Sequence, residues 1–480
     1  MRIFRHYVGF PIVLLALIEG GLFLSSLYIL GLASPCSGCG VTPLAAYFDQ
    51  IAQFRFIEAL FATGAFLTVC AAAGMYNRDS FLDFRQFARR FALASQLVLI
   101  PTVAAVTIVK AVGGLPFGWY LGLLSLAIAG FFLLLFVIRG VLFWWFDFEF
   151  FKRRVLIFGQ GPLADIVSKY VSNEGSSHMS CVGQLAHRRA PQASPFSIGN
   201  VVVRPQLFPR PAPFAMLAQS HQAEEIVVAT EDRRGLPIEE LLECRLHGIQ
   251  VTDYLSFWER EAGQIDINQV GAGWLAFAEG FRVNLSRRAA KRFFDIVVSL
   301  AFLAVTFPVV LLFALLIKLD SKGPVLYRQE RVGLNGRVFN ILKLRSMRVE
   351  AEGDGVPRWA SQDDDRITRI GHIIRKTRID EIPQVINVLT GDMSFIGPRP
   401  ERPFFVEQLK KEISFYDLRH RVRPGITGWA QVNYRYGASA EDAKKKLAYD
   451  LYYVKNGDTI LDLAILVQTV RVIFFAHGSR

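Results

Sequence analysis

The sequence predicts a membrane protein of mixed class, α plus α/β: four N-terminal transmembrane helices, a cytoplasmic α/β domain, and a mainly α C-terminal domain with a Pro-broken re-entrant helix. Three observations lead there. Of the 480 residues, 52% are apolar and 40 are Phe, a bias that points to lipid. Four long apolar stretches crowd into the first 150 residues. Beyond residue 370, acids, arginines, glycines and prolines cluster as a phosphate-handling site would need them.

The apolar stretches run over roughly 8–33, 56–76, 91–112 and 117–146, and make up a domain 1–150. Each can cross a hydrocarbon core of about 30 Å as a helix. The first is longer than a signal-peptide core and has no small-residue cleavage site, so it is expected to be a retained anchor. Glu19 inside it is costly in lipid and should face other helices. Basic residues alternate by loop: Arg2 and Arg5, then Arg78, Arg85, Arg89 and Arg90, then Lys152, Arg153 and Arg154. The positive-inside bias places the N-terminus and everything after residue 147 in the cytoplasm, in a membrane protein of several passes. Of the five cysteines, Cys36 and Cys39 form an isolated C-x-x-C that lacks the context of a zinc or thioredoxin site. A local disulfide and two spare thiols both stay open. The formal charge of +12 suits anionic lipid and a phosphorylated substrate. The basic residues are spread along the chain without a recognition motif, which argues against nucleic acid.

Residues 151–280 predict a Rossmann-like domain. Arg154–Phe158 is a buried strand, Gly159-Gln-Gly161-Pro-Leu-Ala164 a tight turn into a helix, and Glu225–Thr230 a later strand. The turn has the shape of a dinucleotide fingerprint. The acid that would hold a ribose after the second strand is missing from Cys181–Arg189, so a scaffold that regulates or dimerises is the reading preferred to a cofactor site. The Pro-rich residues 190–214 are expected to be loop.

Residues 286–480 form the third domain. Its apolar run 291–318 has basic residues at both ends and Pro308 near its middle. A proline there removes a helix hydrogen bond and clashes with the preceding turn, so a kink or break is expected. A kinked span would put the remaining chain outside; a re-entrant hairpin keeps it in the cytoplasm, and the basic flanks favour re-entry. The apolar 461–475 stretch carries Asp462, Gln468 and Arg471, which suits an interfacial helix, with a core helix almost as good a fit.

Asp380 and Glu381 stand side by side ahead of Pro383, a residue at home in the first turn of a helix. Arg375 and Arg378 precede them, Arg399 and Arg402 follow on a Gly-Pro-Arg-Pro turn, and Arg is suited to bidentate phosphate binding. The run Arg423–Val432 adds Gly425 and Gly428, which can admit a ligand to the backbone, and Trp429, which can stack on a base or sugar. Gly425, Thr427 and Gln431 join the four arginines as substrate-binding candidates. Any one cluster is explained by a solvated turn. All of them within some 55 residues of one acid pair describe metal-assisted phosphoryl transfer.

On these motifs the chain resembles the bacterial polyprenyl-phosphate sugar-1-phosphate transferases, or monotopic phosphoglycosyl transferases. The matching segments are Lys291–Asp295, the Pro-bearing helix, Arg328–Gly333, Lys343–Met347, Asp380–Gln384, Gly391–Pro400 and Pro424–Val432, covering about 288–478 in the family's order. Phe307-Pro308 stands where the family often has Ser-Pro. The four N-terminal spans and the Rossmann-like domain resemble long, exopolysaccharide-type members. The resemblance implies that Asp380 is a covalent nucleophile and that Glu381, with Asp380, holds Mg²⁺. It implies that Arg375 and Arg399 contact phosphate, the donor being a UDP-sugar and the acceptor undecaprenyl phosphate, with release of UMP. A homodimer and other polysaccharide-assembly proteins are the further partners it raises.

Two other classes compete. A membrane-anchored sugar-nucleotide dehydratase or epimerase needs Tyr-x-x-x-Lys, and no tyrosine here has a lysine four positions later. A non-catalytic assembly scaffold would not require the acid pair and the Gly-Pro-Arg-Pro turn together. A classical glycosyltransferase using Asp363–Asp365 is answered by reading that run as a solvated loop.

Overall fold

A computed structural model describes residues 10–33, 118–145, 152–172, 179–185, 213–278, 280–281, 285–348, 366–434, 437 and 439–475. It also describes short pieces at 2–3, 6–7, 196–198, 201–203 and 207–208 and scattered positions between 60 and 98. Cys36, Cys39, Asp363–Asp365 and much of the second and third apolar stretches lie outside the described residues. The chain divides into two compact units, essentially Val8–Phe257 and Trp258–Arg480.

In the first unit, helices Phe10–Ala33 and Gly118–Trp145 pack together with described positions of the intervening stretches. Phe23, Phe66, Phe87, Phe131 and Phe132 form a buried aromatic cluster. Phe23 stacks on Phe66 at 4.3 Å, and Phe131 meets both edge-on. Glu19 does face other helices: it accepts from Arg139 Nε at 2.7 Å and from Tyr76 Oη at 2.9 Å. A buried charge is tolerable only with such partners.

The α/β part of this unit is a parallel sheet in the order β3-β2-β1-β4-β5, with β1 Arg153–Phe158, β2 Met179–Leu185, β3 Leu207–Phe208, β4 Glu225–Val228 and β5 Gln250–Asp253. The central strand β1 is apolar and buried over Val155–Phe158, as suits a parallel sheet covered by helices. Val155, Leu156 and Ile157 are fully buried. Gly159 and Gly161 have φ of +134° and +97°, and the helix Pro162–Ser172 follows, as the turn predicts. Described pieces of the segment expected to be loop, 190–214, are strands: Phe196–Ile198 pairs antiparallel with Val201–Val203, and Leu207–Phe208 extends the sheet.

The second unit begins at Trp258, earlier than the expected boundary at 280–286. Ile265, Ile267 and Val270 are buried in the same core as Val385, Val388, Ile396 and Leu451. Ile265 N donates to Ala448 O at 3.0 Å, and Trp429 Nε1 donates to Gly263 O at 2.7 Å. The sequence expectation places residues 258–280 in the Rossmann-like domain, because isolated apolar residues set among glycines and polar residues do not reveal which core they join.

Of the kink or break expected at Pro308, there is no break: the helix Leu285–Asp320 continues through the proline. Pro308 has no N–H for the Ala304 carbonyl, but one missing bond in a 36-residue helix does not end it. It is the helix in the described residues long and apolar enough to cross a membrane. Its two ends are buried on this unit and its middle is bare. Asp295 and Ser299 at one end and Ile317 at the other are buried, whereas Val305, Phe307, Leu311, Leu312 and Leu315 are all more than half exposed. Ile317 packs with Leu344 and Ile374.

An antiparallel hairpin, β6 Leu326–Val332 with β7 Val338–Leu344, and a parallel pair, β8 Ser394–Ile396 with β9 Gly425–Thr427, complete the mainly helical unit. The terminal helix Thr459–Phe475 buries Leu461, Asp462 and Ile465 and exposes Ile460, Leu463 and Val470. One face is therefore that of a core helix, and the opposite face is apolar and exposed.

Candidate active site

The acid pair sits on a 3₁₀ turn, Ile379–Glu381, entered through Arg378 in the left-handed region at φ 59°. Pro383 follows as the cap of the helix Gln384–Thr390, one position earlier than expected. That helix is pinned at its middle and at its C-terminal end. Asn387 accepts from Leu342 N at 2.9 Å and donates to Asn340 O at 2.8 Å, docking it on β7. Arg292 donates to the Val388 and Leu389 carbonyls at 2.6 and 2.7 Å, satisfying the free C-terminal groups. The root of the long helix is thereby tied to the acid-bearing segment, and Asp295 accepts from Ser394 Oγ and Phe395 N at 2.9 and 3.1 Å.

Glu381 meets three cations. Arg399 reaches it with both terminal nitrogens, at 2.6 and 3.4 Å; Arg378 lies at 3.5 Å and Lys343 at 4.0 Å. Burial alone would raise its pKa, but Arg399 and Lys343 outweigh burial and hold the carboxyl well below the usual range. Asp380, its buried neighbour, goes the other way. Burial and the charge of Glu381 push it up to about 6, against the pull of Lys343, Arg399 and Arg375. Burial also lowers Lys343, to about 8. Two adjacent acids are thus driven apart: one is a permanently charged anchor, and the other is a carboxylate short of compensation.

The structure brings together Asp380, Glu381, Arg399, Arg378 and, through its field on Asp380, Arg375. Arg402 stands instead at the N-terminal cap of the helix Pro403–Glu412. The residues of the Arg423–Val432 run make contacts within the unit. A Cβ on Gly425 or Gly428 would lie 2.1 Å from backbone atoms of Gly397, so these glycines admit another strand. Thr427 hydrogen-bonds Thr469 at 2.8 Å, and Gln431 donates to Ile426 O at 3.0 Å. Trp429 stacks on Tyr452 at 5.8 Å and donates to Gly263, which removes it as a base-stacking platform.

Sequence reasoning gave Lys343 no role of its own; its place in the matching segment Lys343–Met347 was the signal that could have found it. Asn387 gave no signal, because an amide in a short helix reads as solvated until its strand partner is known. A Mg²⁺ cage made wholly of protein is absent among the described residues, which hold no cluster of three or more acids, His or Cys. Two adjacent carboxylates do fit the usual Mg²⁺ arrangement, with one or two acids and the rest of the shell from water and substrate phosphate.

Residues 286–476 match the family model for bacterial sugar transferase. The chain is 49% identical over 190 residues to a UDP-N-acetylgalactosamine-undecaprenyl-phosphate N-acetylgalactosaminephosphotransferase of Aeromonas hydrophila, covering 40% of this chain and 45% of that one. It is 44% identical over 185 residues to a UDP-glucose:undecaprenyl-phosphate glucose-1-phosphate transferase of Escherichia coli K12, 38% of this chain and 40% of the other. The match thus spans less than half the length of these two relatives. An exopolysaccharide production protein of Rhizobium leguminosarum bv. phaseoli is 44% identical over 189 residues, 38% of this chain and 92% of its own. With its second unit matched at this level, the chain belongs to the bacterial sugar transferase family.

Proposed function

We propose that the protein transfers a sugar 1-phosphate from a UDP-sugar to undecaprenyl phosphate at the membrane surface, as the first step of exopolysaccharide-type assembly. The observation that carries this is the convergence of Arg399, Arg378 and Lys343 on Glu381, directly beside Asp380, in a chain of this family. Asp380 is the nucleophile. A carboxylate oxygen attacks the phosphorus that bears the sugar, the bond to the UMP oxygen breaks, and an aspartyl phosphosugar forms. The phosphate oxygen of undecaprenyl phosphate then attacks the same phosphorus and restores the carboxylate. Splitting one displacement into two lowers each barrier. Arg399, Arg378 and Lys343 keep Glu381 charged and leave N–H donors beside the transferring group. Mg²⁺ held by Asp380 and Glu381 would neutralise the charge of the donor diphosphate. Arg375 is assigned to phosphate on the same grounds.

The N-terminal stretches are proposed as four spans and Leu285–Asp320 as a re-entrant arm, which keeps the second unit in the cytoplasm. Support comes from the bare middle of the arm, with both ends buried on one unit, and from Lys291, Arg292 and Lys318 at its flanks. Cysteines placed singly at the C-terminus and between residues 76 and 90 should be shielded alike from an impermeant thiol reagent in intact cells. Labelling of the C-terminal site alone would overturn the topology.

The reaction is tested by its by-product. Purified chain in nanodiscs with Mg²⁺, undecaprenyl phosphate and a panel of UDP-sugars should release UMP with the matching donor. UDP as the sole nucleotide product would mean glycosyl transfer and sink the proposal.

A further inference from the structure

The turn Gly397–Pro400 aims Arg399 at Glu381, yet it has little means of holding itself. Pro398 and Pro400 have no N–H, so the usual turn hydrogen bonds are missing. Donors from elsewhere in the unit grip three consecutive carbonyls instead. Pro398 O accepts from Gly425 N at 2.9 Å, Arg399 O from Arg419 Nη2 at 2.9 Å, and Pro400 O from Arg331 Nη1 at 3.1 Å. The middle grip is the unusual one, because the donor is a buried side chain.

Arg419 lies on the 3₁₀ segment Tyr416–Arg421 and is 6% exposed. Nη1 donates to Tyr416 Oη at 2.6 Å, and Nη2 lies 2.8 Å from Asp450 Oδ2 on the helix Ala440–Asn456. Tyr416 and Asp450 are buried as well. A buried ion pair is a poor stabiliser, since apolar residues of the same volume usually do as well or better. An apolar pair has nothing to donate to a carbonyl. The planar fork of Arg419 serves the tyrosine, the aspartate and the Arg399 backbone at once, which a lysine ammonium cannot do from one point.

We infer that Arg419, braced by Asp450 and Tyr416, is a positioning residue for the transfer reaction. By holding the Arg399 carbonyl it fixes the Arg399 guanidinium on Glu381. This rests on the reading of Asp380 and Glu381 as the reacting centre. A displacement of about 1 Å in such support can slow a reaction by about a hundredfold.

The experiment is a double-mutant cycle on the full chain in nanodiscs, reading kcat, KM for the UDP-sugar and thermal melting. Arg419→Lys retains a cation against Asp450, so melting should stay close to that of the parent. Turnover should fall about tenfold or more, chiefly in kcat, because the orientation of a preorganised group is lost. Arg399→Ala should be strongly deleterious in the parent and cost far less in the Arg419→Lys background, since coupled residues are not additive. Parent-like turnover by a folded Arg419→Lys chain, or losses that simply multiply, would overturn the positioning role. Parent-like turnover by Arg399→Ala alone would instead overturn the site reading. If Arg419→Lys does not fold, Tyr416→Phe, which removes one oxygen, takes its place in the cycle, and the same outcomes support or overturn the role.

Discussion

Two turns in this molecule introduce helices in nearly the same way and differ in everything that chemistry needs. The Gly159–Ala164 turn passes through two glycines with positive φ, and the Ile379–Glu381 turn is entered from Arg378 with positive φ. Each sets backbone N–H groups at a helix start, where anions are favoured. Around the first, Gln184 Nε2 donates to the Gly159 carbonyl at 2.8 Å, and a Cβ on Gly159 would strike the Ala229 carbonyl at 2.3 Å. Its glycine serves strand packing, and the side-chain partner is neutral. Around the second, Glu381, next to Asp380, meets Lys343, Arg378 and Arg399. Backbone shape is shared scaffold; converging charge makes a reactive site.

The contrast between the turns is tested most severely by removing the charge from one and straining the other. Asp380→Asn should lower UMP release by about 10³-fold or more, because an amide is a poor nucleophile toward phosphorus. Gly161→Ala should leave turnover within about twofold and cost about 1 kcal/mol of stability, as its φ is positive but its surroundings are open. A dead Gly161→Ala enzyme that still melts normally would show that the first turn takes part in the reaction.

Next in size is Arg399→Lys. A single ammonium cannot reproduce the two-nitrogen grip on Glu381, and a loss of about 10²-fold in kcat/KM is expected. A pH–rate profile then tests the opposed ionisation. The nucleophile acts only when ionised, so activity should hold above about 6 and fall about tenfold per unit below it, following Asp380. An acid limb that begins near the ordinary aspartate value would refute the raised pKa.

The smallest effect concerns stability. A carboxyl whose pKa is raised by folding favours the fold below its ordinary value, 3.8, and that contribution is lost as pH rises through about 6. Ionised Asp380 is therefore a burden at pH 7.5. Asp380→Asn should melt higher there by a few degrees, about 1–3 kcal/mol, and show no gain at pH 4. An equal shift at both pH values would trace the gain to packing.

The classes of element and the chemistry on offer were already legible in the order of the amino acids. Apolar length marked the helices Phe10–Ala33, Gly118–Trp145 and Leu285–Asp320, and strand periodicity with paired glycines marked the parallel sheet. The acid pair and its arginines could be read because unlike charges concentrated in so short a segment have few uses. Partnership came from tertiary packing alone. Packing made Gly425 and Gly428 a seat for Gly397, turned Trp429 inward onto Tyr452, and brought Lys343 to the acid-bearing turn and Arg419 to the turn of Arg399. It also drew Ile265, Ile267 and Val270 into the core of the second unit. Periodicity reports which face of an element is apolar. It does not report which distant backbone will press against a glycine, or which of 54 cations will find a carboxylate, since those choices are made by packing between segments far apart in the chain.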